Sequence, residues 1–291
     1  MATPREVLNP IHTATQPQKR FWKISHAAKL LAAGGLSQFI SPAGDWLPLI
    51  HSLPKSDTKR IALSFDDGPA PHTTRRVAHI LARYNANATF FLSGARASKN
   101  PDLIDVLVKA GHDVFGHGWT HIRYQTPDQV ISNLEQVESL LRQHRPTPSP
   151  YLVRLPYAEG RRQQWMHRAI RQWNPKAQIA DWTYWLKDWE IPSKCRNRSD
   201  LARVCRLTLE KLSELPELDG AILLLHEEPY DVGSPLNSFV ILVLLEQLLD
   251  RFRQLSYSFV PIMPWATQPL VTKFLLNSRR FRLGPRGSVA A

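Results

Sequence analysis

Short apolar runs alternate with amphipathic stretches from Arg60 onward, and this alternation determines the predicted fold. Seven of the runs are typical of buried strands. The predicted strands are 61–65, 88–94, 113–116, 151–155, 177–182, 221–225 and 258–262. The intervening stretches predict helices at 73–84, 101–110, 127–143, 161–173, 199–212 and 235–255. Such alternation predicts an α/β fold with a parallel sheet or a β/α barrel. Because only about seven strands are visible, we expect an incomplete or distorted barrel.

The segments on either side of this pattern differ from it in character. Residues 1–58 contain several Pro and Gly without a strong period, so we expect an N-terminal arm. The predicted barrel domain is 59–263. Residues 264–291 contain five basic residues and no acidic one, which predicts a basic C-terminal tail. That tail is either simply solvated or makes weak contact with an anionic surface.

Composition and charge narrow the class of protein. The 291 residues are 43% hydrophobic and 21% charged, as is usual for a soluble globular protein. The formal charge is +12, but no nucleic-acid-binding module accompanies it, so we expect no specific nucleic-acid partner. Cys195 and Cys205 lie outside any zinc-type spacing. They are expected to be free thiols, with a disulfide as the alternative, and the sequence leaves the oligomeric state open.

The N-terminus shows no clean export signal. Its apolar stretch LLAAGGL is short, follows Lys29 and starts about thirty residues into the chain, whereas a secretory signal needs an uninterrupted apolar core nearer the start. This favours a cytoplasmic or peripherally membrane-associated protein.

Polar residues with catalytic potential follow the predicted strands at their carboxyl ends. In a parallel barrel these ends open onto one face, where active sites lie. The residues are Asp66, Asp67, His117, His121, Arg154, Asp181, Asp188 and His226. Five separate strand ends therefore predict one site.

The strongest chemical signal in this set is a divalent metal site. Asp67 offers a carboxylate, and His117 and His121 lie four residues apart in GHGWTH. Two histidines and one carboxylate leave open positions for water and substrate, as in catalytic sites. Zinc is the first candidate, with cobalt, nickel, iron and manganese as alternatives. The competing interpretations are a solvated histidine pair and a solvated DDGP turn.

Five motifs, taken in order, resemble those of the NodB-like polysaccharide deacetylases, also called family-four carbohydrate esterases. They are SFDDGP, HGWTH, RLPYAEG, the KDW of WTYWLKDW, and LLLH, spread over residues 60–262. The resemblance implies a distorted β/α barrel and metal-dependent removal of acetyl groups from an N-acetylated glycan such as chitin or peptidoglycan. It also makes an envelope location an alternative.

The resemblance implies a role for each matching residue. Asp66 is expected to be the catalytic base, paired with Arg154, beside the metal ligands Asp67, His117 and His121. His226 is expected to be the general acid that protonates the leaving amine.

Further roles concern the surroundings of the acid and the acetyl group. Asp188 is the expected carboxylate partner of His226, with Asp181 as second choice. The backbone N–H of Tyr157 is expected to help bind the oxyanion. Leu224 and Trp189 resemble the apolar walls of an acetyl pocket.

Departures from the family pattern leave the substrate open. Ala158 and Glu159 stand before Gly160, where many members have Gly directly after the aromatic residue, and Trp119 and Trp185 replace smaller or acidic residues. The tryptophans near residue 185 are either a sugar platform or barrel packing. Two alternatives to a glycan deacetylase remain: an amidohydrolase acting on a small non-sugar amide, and a non-catalytic glycan-binding scaffold.

Overall fold

The computed structural model describes residues 46–54, 56–215, 218–230 and 233–264. Within them lie nine strand segments, and all pairings between these strands are parallel. The strands are β1 (Leu49–Ile50), β2 (Arg60–Asp66), β3 (Thr89–Leu92), β4 (Asp113–Gly116), β5 (Tyr151–Val153), β6 (Ala177–Ala180), β7 (Tyr184–Trp185), β8 (Ala221–His226) and β9 (Ser258–Val260). Seven of these correspond to the seven predicted strands, and the two-residue strands β1 and β7 are additional.

Seven α-helices accompany these strands in the described part of the chain. They are α1 (Thr74–Arg83), α2 (Gly94–Ala97), α3 (Pro101–Lys109), α4 (Pro127–Leu141), α5 (Gln164–Trp173), α6 (Leu201–Ser213) and α7 (Asn237–Gln254). The start of α4 shows why the sequence places a helix there. Pro127 occupies the first turn, and Thr126 Oγ1 accepts a hydrogen bond from the Gln129 N–H at 3.3 Å. No described helix has the length and apolar character needed to cross a membrane.

The strands form two parallel sheets. One has the order β4-β3-β2-β8-β7, with β9 also paired to β2, and the other has the order β1-β6-β5. With the surrounding helices they make a distorted α/β barrel, which confirms the predicted fold class. The number of strands that close the barrel stays a prediction.

Strand β2 lies in the middle of the larger sheet, and its side chains alternate between two hydrophobic clusters. Ile61, Leu63 and Phe65 pack in the cluster that contains the helices α1 and α7. Ala62 packs in the second cluster, with residues of β5 and β6. Since side chains two apart share a face, Ser64 and Asp66 point to the same side as Ala62. The central strand therefore carries a polar pair towards the second cluster.

The predicted boundary between arm and barrel lies too late in the chain. Leu49 and Ile50, which we assigned to the arm, pair as β1 with Ile179 and Ala180 of β6. Leu47 and Leu53 are also buried. Residues 46–54 thus belong to the barrel. Arm residues 1–45 and tail residues 265–291 lie outside the described residues.

Candidate active site

The predicted site residues meet at the carboxyl edge of the larger sheet. Asp66 is the last residue of β2, and its register partner on β8 is His226. Asp67 follows directly, with a φ of 72° that turns the chain away from the strand. His117 comes directly after β4, and its backbone N–H donates to the carbonyl of Leu92 at the end of β3. The edge therefore gathers residues from distant parts of the chain.

Asp67, His117 and His121 form a cluster that could hold a metal ion. Their donor atoms all lie within 4.8 Å of one another. Asp67 Oδ1 is 3.6 Å from His117 Nε2 and 3.5 Å from His121 Nε2. This oxygen is buried and has no hydrogen-bond partner among the described residues. A buried, unsatisfied carboxylate oxygen facing two imidazoles fits a divalent cation, because the ion would satisfy all three groups.

The orientation of His117 supports the same interpretation. Its Nδ1 lies 2.8 Å from the carbonyl oxygen of Arg154. A carbonyl can only accept, so Nδ1 carries the proton, and in this tautomer Nε2 is the nitrogen available to bind a metal beside Asp67. Metal-binding histidines are commonly fixed in this way by an outer hydrogen bond.

His121 is held by an aromatic ring that the sequence analysis did not single out. Tyr230, in the loop after β8, stacks on the imidazole with ring centroids 4.8 Å apart and planes at 8°. The Tyr230 hydroxyl lies 2.5 Å from Ser93 Oγ, and the Arg96 guanidinium lies 3.8 Å from the ring centroid. Tyr230 thus restrains the orientation of His121, although no motif in the sequence marks it.

Arg154 is buried and bonds directly to Asp66. Its Nη1 donates to Asp66 Oδ1 at 2.8 Å and to Ser64 Oγ at 2.8 Å. Its other nitrogens donate to the carbonyls of Ala180 and Asp181, each at 3.1 Å. The guanidinium is therefore fixed by four acceptors, and one of them is the predicted base.

His226 is paired with Asp188 on the opposite side of the cavity. His226 Nδ1 lies 2.8 Å from Asp188 Oδ1, and the His226 backbone N–H donates to Asp188 Oδ2 at 2.6 Å. Burial lowers the pKa of His226, but the charge and hydrogen bond of Asp188 outweigh it and raise that pKa to about 9. The imidazole is therefore protonated at neutral pH.

Asp181, the second choice for this partner, lies elsewhere. Its carboxylate is fully buried, 3.1 Å from Arg161 Nε and 3.5 Å from His51 Nδ1. The geometry thus favours Asp188, and not Asp181, as the carboxylate that stabilises the protonated form of His226.

A cavity of about 340 Å³ connects these groups. Asp66 and Asp67 line it together with the two ligand histidines and His226. Its apolar lining includes Leu224, Trp182, Trp185 and Trp189. Trp189 meets the His226 ring edge-on, with centroids 5.1 Å apart. The predicted acetyl-pocket residues thus lie beside the predicted acid.

Tyr157 lines the same cavity from the opposite loop. It has a φ of 53°, and the next residue, Ala158, has a φ of 60°. Two consecutive left-handed residues are uncommon outside glycine and often mark functional loops. In this conformation Tyr157 is 39% exposed to solvent. The centroid of its ring lies 4.5 Å from the centroid of the His121 ring.

Glu227 is a second residue that the sequence analysis missed. It follows His226 directly and is fully buried, and burial raises its pKa to about 8. Its Oε2 accepts a short hydrogen bond from Thr74 Oγ1, which in turn accepts from the Ala70 N–H at 2.8 Å. Gly68 leaves room for it, since a Cβ there would lie 1.9 Å from Glu227 Oε1. Glu227 therefore links the end of β8 to the turn that carries Asp67. The sequence feature that could have indicated Glu227 is its position directly after His226, a predicted catalytic residue.

The chain is similar to known deacetylases in sequence and fold. The family model described as polysaccharide deacetylase matches residues 54–176. A chitooligosaccharide deacetylase of Bradyrhizobium sp. (strain ANU 289) is 30% identical over 176 residues, which are 59% of this chain and 72% of that protein. The peptidoglycan-N-acetylglucosamine deacetylase PgdA of Listeria monocytogenes is 26% identical over 263 residues, 89% of this chain and 49% of its own.

A solved structure shares the fold. The crystal structure of the Bc1960 peptidoglycan N-acetylglucosamine deacetylase superposes with a TM-score of 0.60 at 23% identity, over 74% of this chain and 91% of that one. The chain spans about half the length or less of the curated relatives that it first matches. Family model, relatives and fold agree, and the chain belongs to the polysaccharide deacetylase family, the NodB-like carbohydrate esterases of family four.

Proposed function

We propose that this protein is a metal-dependent hydrolase that removes acetyl groups from N-acetylated sugars of a polysaccharide or oligosaccharide. One observation carries the proposal. An Asp–His–His cluster with an unsatisfied buried carboxylate oxygen shares a cavity with a carboxylate and a charged histidine. The names of the relatives, which include peptidoglycan and chitooligosaccharide deacetylases, support the same reaction and suggest the substrate class.

Asp67, His117 and His121 would hold the metal ion, with zinc as the first candidate. When bound, the ion supplies Lewis-acid polarisation of the attacking water and of the amide carbonyl. All three residues line the cavity, so water and substrate could reach an ion that they held.

Asp66 acts as the general base in this proposal. Arg154 binds its Oδ1, which fixes the carboxylate plane and leaves Oδ2 to accept a proton from water. The backbone N–H of Tyr157 is the proposed oxyanion donor, since the left-handed turn places this residue at the cavity next to His121.

His226 acts as the general acid. With its pKa raised to about 9, the imidazolium can donate a proton from Nε2 to the leaving nitrogen, while Asp188 binds Nδ1. Leu224 and Trp189 enclose the acetyl methyl group beside it. Protonation lets the nitrogen leave as a neutral amine when the C–N bond breaks, in place of an amide anion, so the acid is needed most for amide substrates.

Acetate release from defined substrates tests the proposal. Protein stripped of metal and then reloaded with zinc is assayed on N-acetylated chitin oligomers, on peptidoglycan fragments and on small linear or cyclic acetamides. We expect zinc-dependent release from at least one glycan and far less from the small amides. Release from the small amides alone would support the amidohydrolase alternative. A metal-loaded protein that binds glycans without releasing acetate would support the scaffold alternative.

A further inference from the structure

Arg123 is a cation at the mouth of the cavity that the proposed reaction does not use. It lies two residues after the ligand His121 and lines the cavity, and its side chain is 61% exposed. Among the described residues that line this cavity, it is the only lysine or arginine. The proposed metal ligands, base and acid all lie deeper, so Arg123 is available to the part of a substrate that lies outside the acetyl pocket.

The Arg123 side chain is held in place there. Its guanidinium lies 4.3 Å from the centroid of the Tyr157 ring, and its Nη1 is 3.7 Å from Glu159 Oε1. Glu159 is itself nearly buried, and its Oε2 accepts a hydrogen bond from the Tyr124 N–H at 2.9 Å. Glu159, one of the departures from the family motif, thus ties the loop after His121 to the loop of Tyr157.

This arrangement leaves hydrogen-bond donors unused. At 3.7 Å the contact with Glu159 is an ion pair without a hydrogen bond, and the Arg123 guanidinium makes no hydrogen bond with any described residue. A guanidinium that is stacked on one face keeps its N–H edges free, and this edge geometry matches a carboxylate. The other charged groups of the cavity already have a stated use: Asp66 binds Arg154, His226 binds Asp188, and Asp67 faces the two histidines.

We propose that Arg123 recognises a carboxylate on the sugar that is deacetylated or on the sugar next to it. The preferred substrate would then be an acidic N-acetylated glycan, and a neutral one would be a poorer substrate. This inference rests on the proposed deacetylase function and narrows its substrate class. Arg123 would determine specificity without taking part in bond breaking, so its removal should affect acidic substrates selectively.

A pair of substrates that differ only in charge tests this inference. The acidic substrate is an oligosaccharide that contains N-acetylmuramic acid, and its partner is the same oligosaccharide with the lactyl carboxyl converted to the methyl ester. For the unmodified protein we expect kcat/KM to be about tenfold higher on the acid, as for one charged hydrogen bond at an exposed site. Arg123→Gln should lower kcat/KM on the acid to the level of the ester, mainly through KM.

Two controls separate a local contact from general electrostatics. Arg162→Gln removes the same charge from an exposed position outside the cavity, and the preference for the acid should persist in this variant. Raising the ionic strength should shrink the preference, because an exposed charge pair is screened by salt. N-acetylglucosamine oligomers serve as the neutral reference, on which Arg123→Gln should change kcat/KM little.

Two outcomes would overturn the inference alone. One is equal kcat/KM for acid and ester in the unmodified protein. The other is an equal loss on acid, ester and neutral oligomer in Arg123→Gln, which would assign Arg123 a structural role. In both cases acetate is still released from a glycan, so the proposed function stands. Absence of acetate release from every glycan would reject the proposed function and this inference together.

Discussion

Asp66 and His226 are register partners on neighbouring strands, yet each is bound by a residue of opposite charge from another part of the chain. Arg154 contacts the carboxylate, and Asp188 contacts the imidazole. At this scale the proposed chemistry depends on single contacts of 2.8 Å. The negative charge in each contact can be removed by an isosteric Asp→Asn substitution.

Replacing Asp188 tests the charge of His226. Asp188→Asn keeps a hydrogen-bond acceptor for His226 but removes the negative charge that raises its pKa. Activity is lost as pH rises through the pKa of the acid, so the basic limb of the kcat/KM profile should lie near pH 9 in the unmodified protein. In Asp188→Asn it should move to lower pH. A basic limb that stays in place would show that His226 does not set it.

The raised pKa of Glu227 predicts that the free energy of unfolding depends on pH. Its ordinary pKa of 4.5 is raised to about 8 by burial, so the folded protein keeps a proton that the unfolded chain releases in this window. The free energy of unfolding should therefore fall with rising pH, and Glu227→Gln should remove that loss. Relative to the unmodified protein, the free energy of unfolding of the variant should increase by up to about 1.4 kcal/mol for each pH unit in this window.

Urea denaturation of metal-free protein at pH 5 and pH 8 measures this difference. Glu210→Gln, at a side chain that is 43% exposed, is the matched control and should show no such gain. If the difference between Glu227→Gln and the unmodified protein were the same at both pH values, Glu227 would be charged in the folded state.

The residues that sequence reasoning found and those that it missed differ in one physical respect. Asp66, His117 and His226 follow apolar runs, so their convergence is a consequence of parallel topology. Tyr230 and Arg123 make contacts between loops, and the spacing of hydrophobic residues along the chain carries no information about such contacts. The sequence therefore predicted the convergence of the residues that follow strands better than the side chains that restrain them.

At the scale of elements, the strands that were missed are the shortest. β1 and β7 contain two residues each, which is too few to show an alternating pattern. β1 is fixed by its partner, because Leu49 and Ile50 pair with β6 across more than a hundred residues of sequence. From the sequence alone such a segment is assigned to the arm, because its pairing partner lies far away along the chain.

The loop after β8 contacts the metal cluster through Tyr230, which stacks on His121. Tyr230→Leu removes the ring that stacks on His121, whereas Tyr230→Phe keeps the ring and removes the hydroxyl contact with Ser93. We expect Tyr230→Leu to weaken metal binding about tenfold, as for other residues that orient metal ligands. Tyr230→Phe should weaken it less. Titration of metal-free protein with cobalt, followed by its absorption, measures the dissociation constants. Equal constants in Leu and unmodified protein would contradict an orienting role for Tyr230.

At the scale of the whole molecule, the described site lies within the predicted barrel domain, 59–263. Its proposed reacting groups and their partners end or follow strands β2, β4, β5, β7 and β8, while residues 46–54 complete the smaller sheet. The role of the predicted basic tail, 264–291, stays a prediction, since residues 265–291 lie outside the described residues. The relatives first matched are longer than this chain, which covers 31% and 49% of their lengths.

The central claim is that two adjacent carboxylates divide the work, with Asp67 binding the metal and Asp66 acting as base. Metal content and acetate release, measured in the same preparations of Asp66→Asn and Asp67→Asn, test it most directly. Asp66→Asn should keep one metal ion per chain and lose at least about a hundredfold in turnover, as expected for removal of a general base. Asp67→Asn should lose both metal and turnover. An Asp66→Asn protein that lost its metal, or that released acetate at the unmodified rate, would contradict the account.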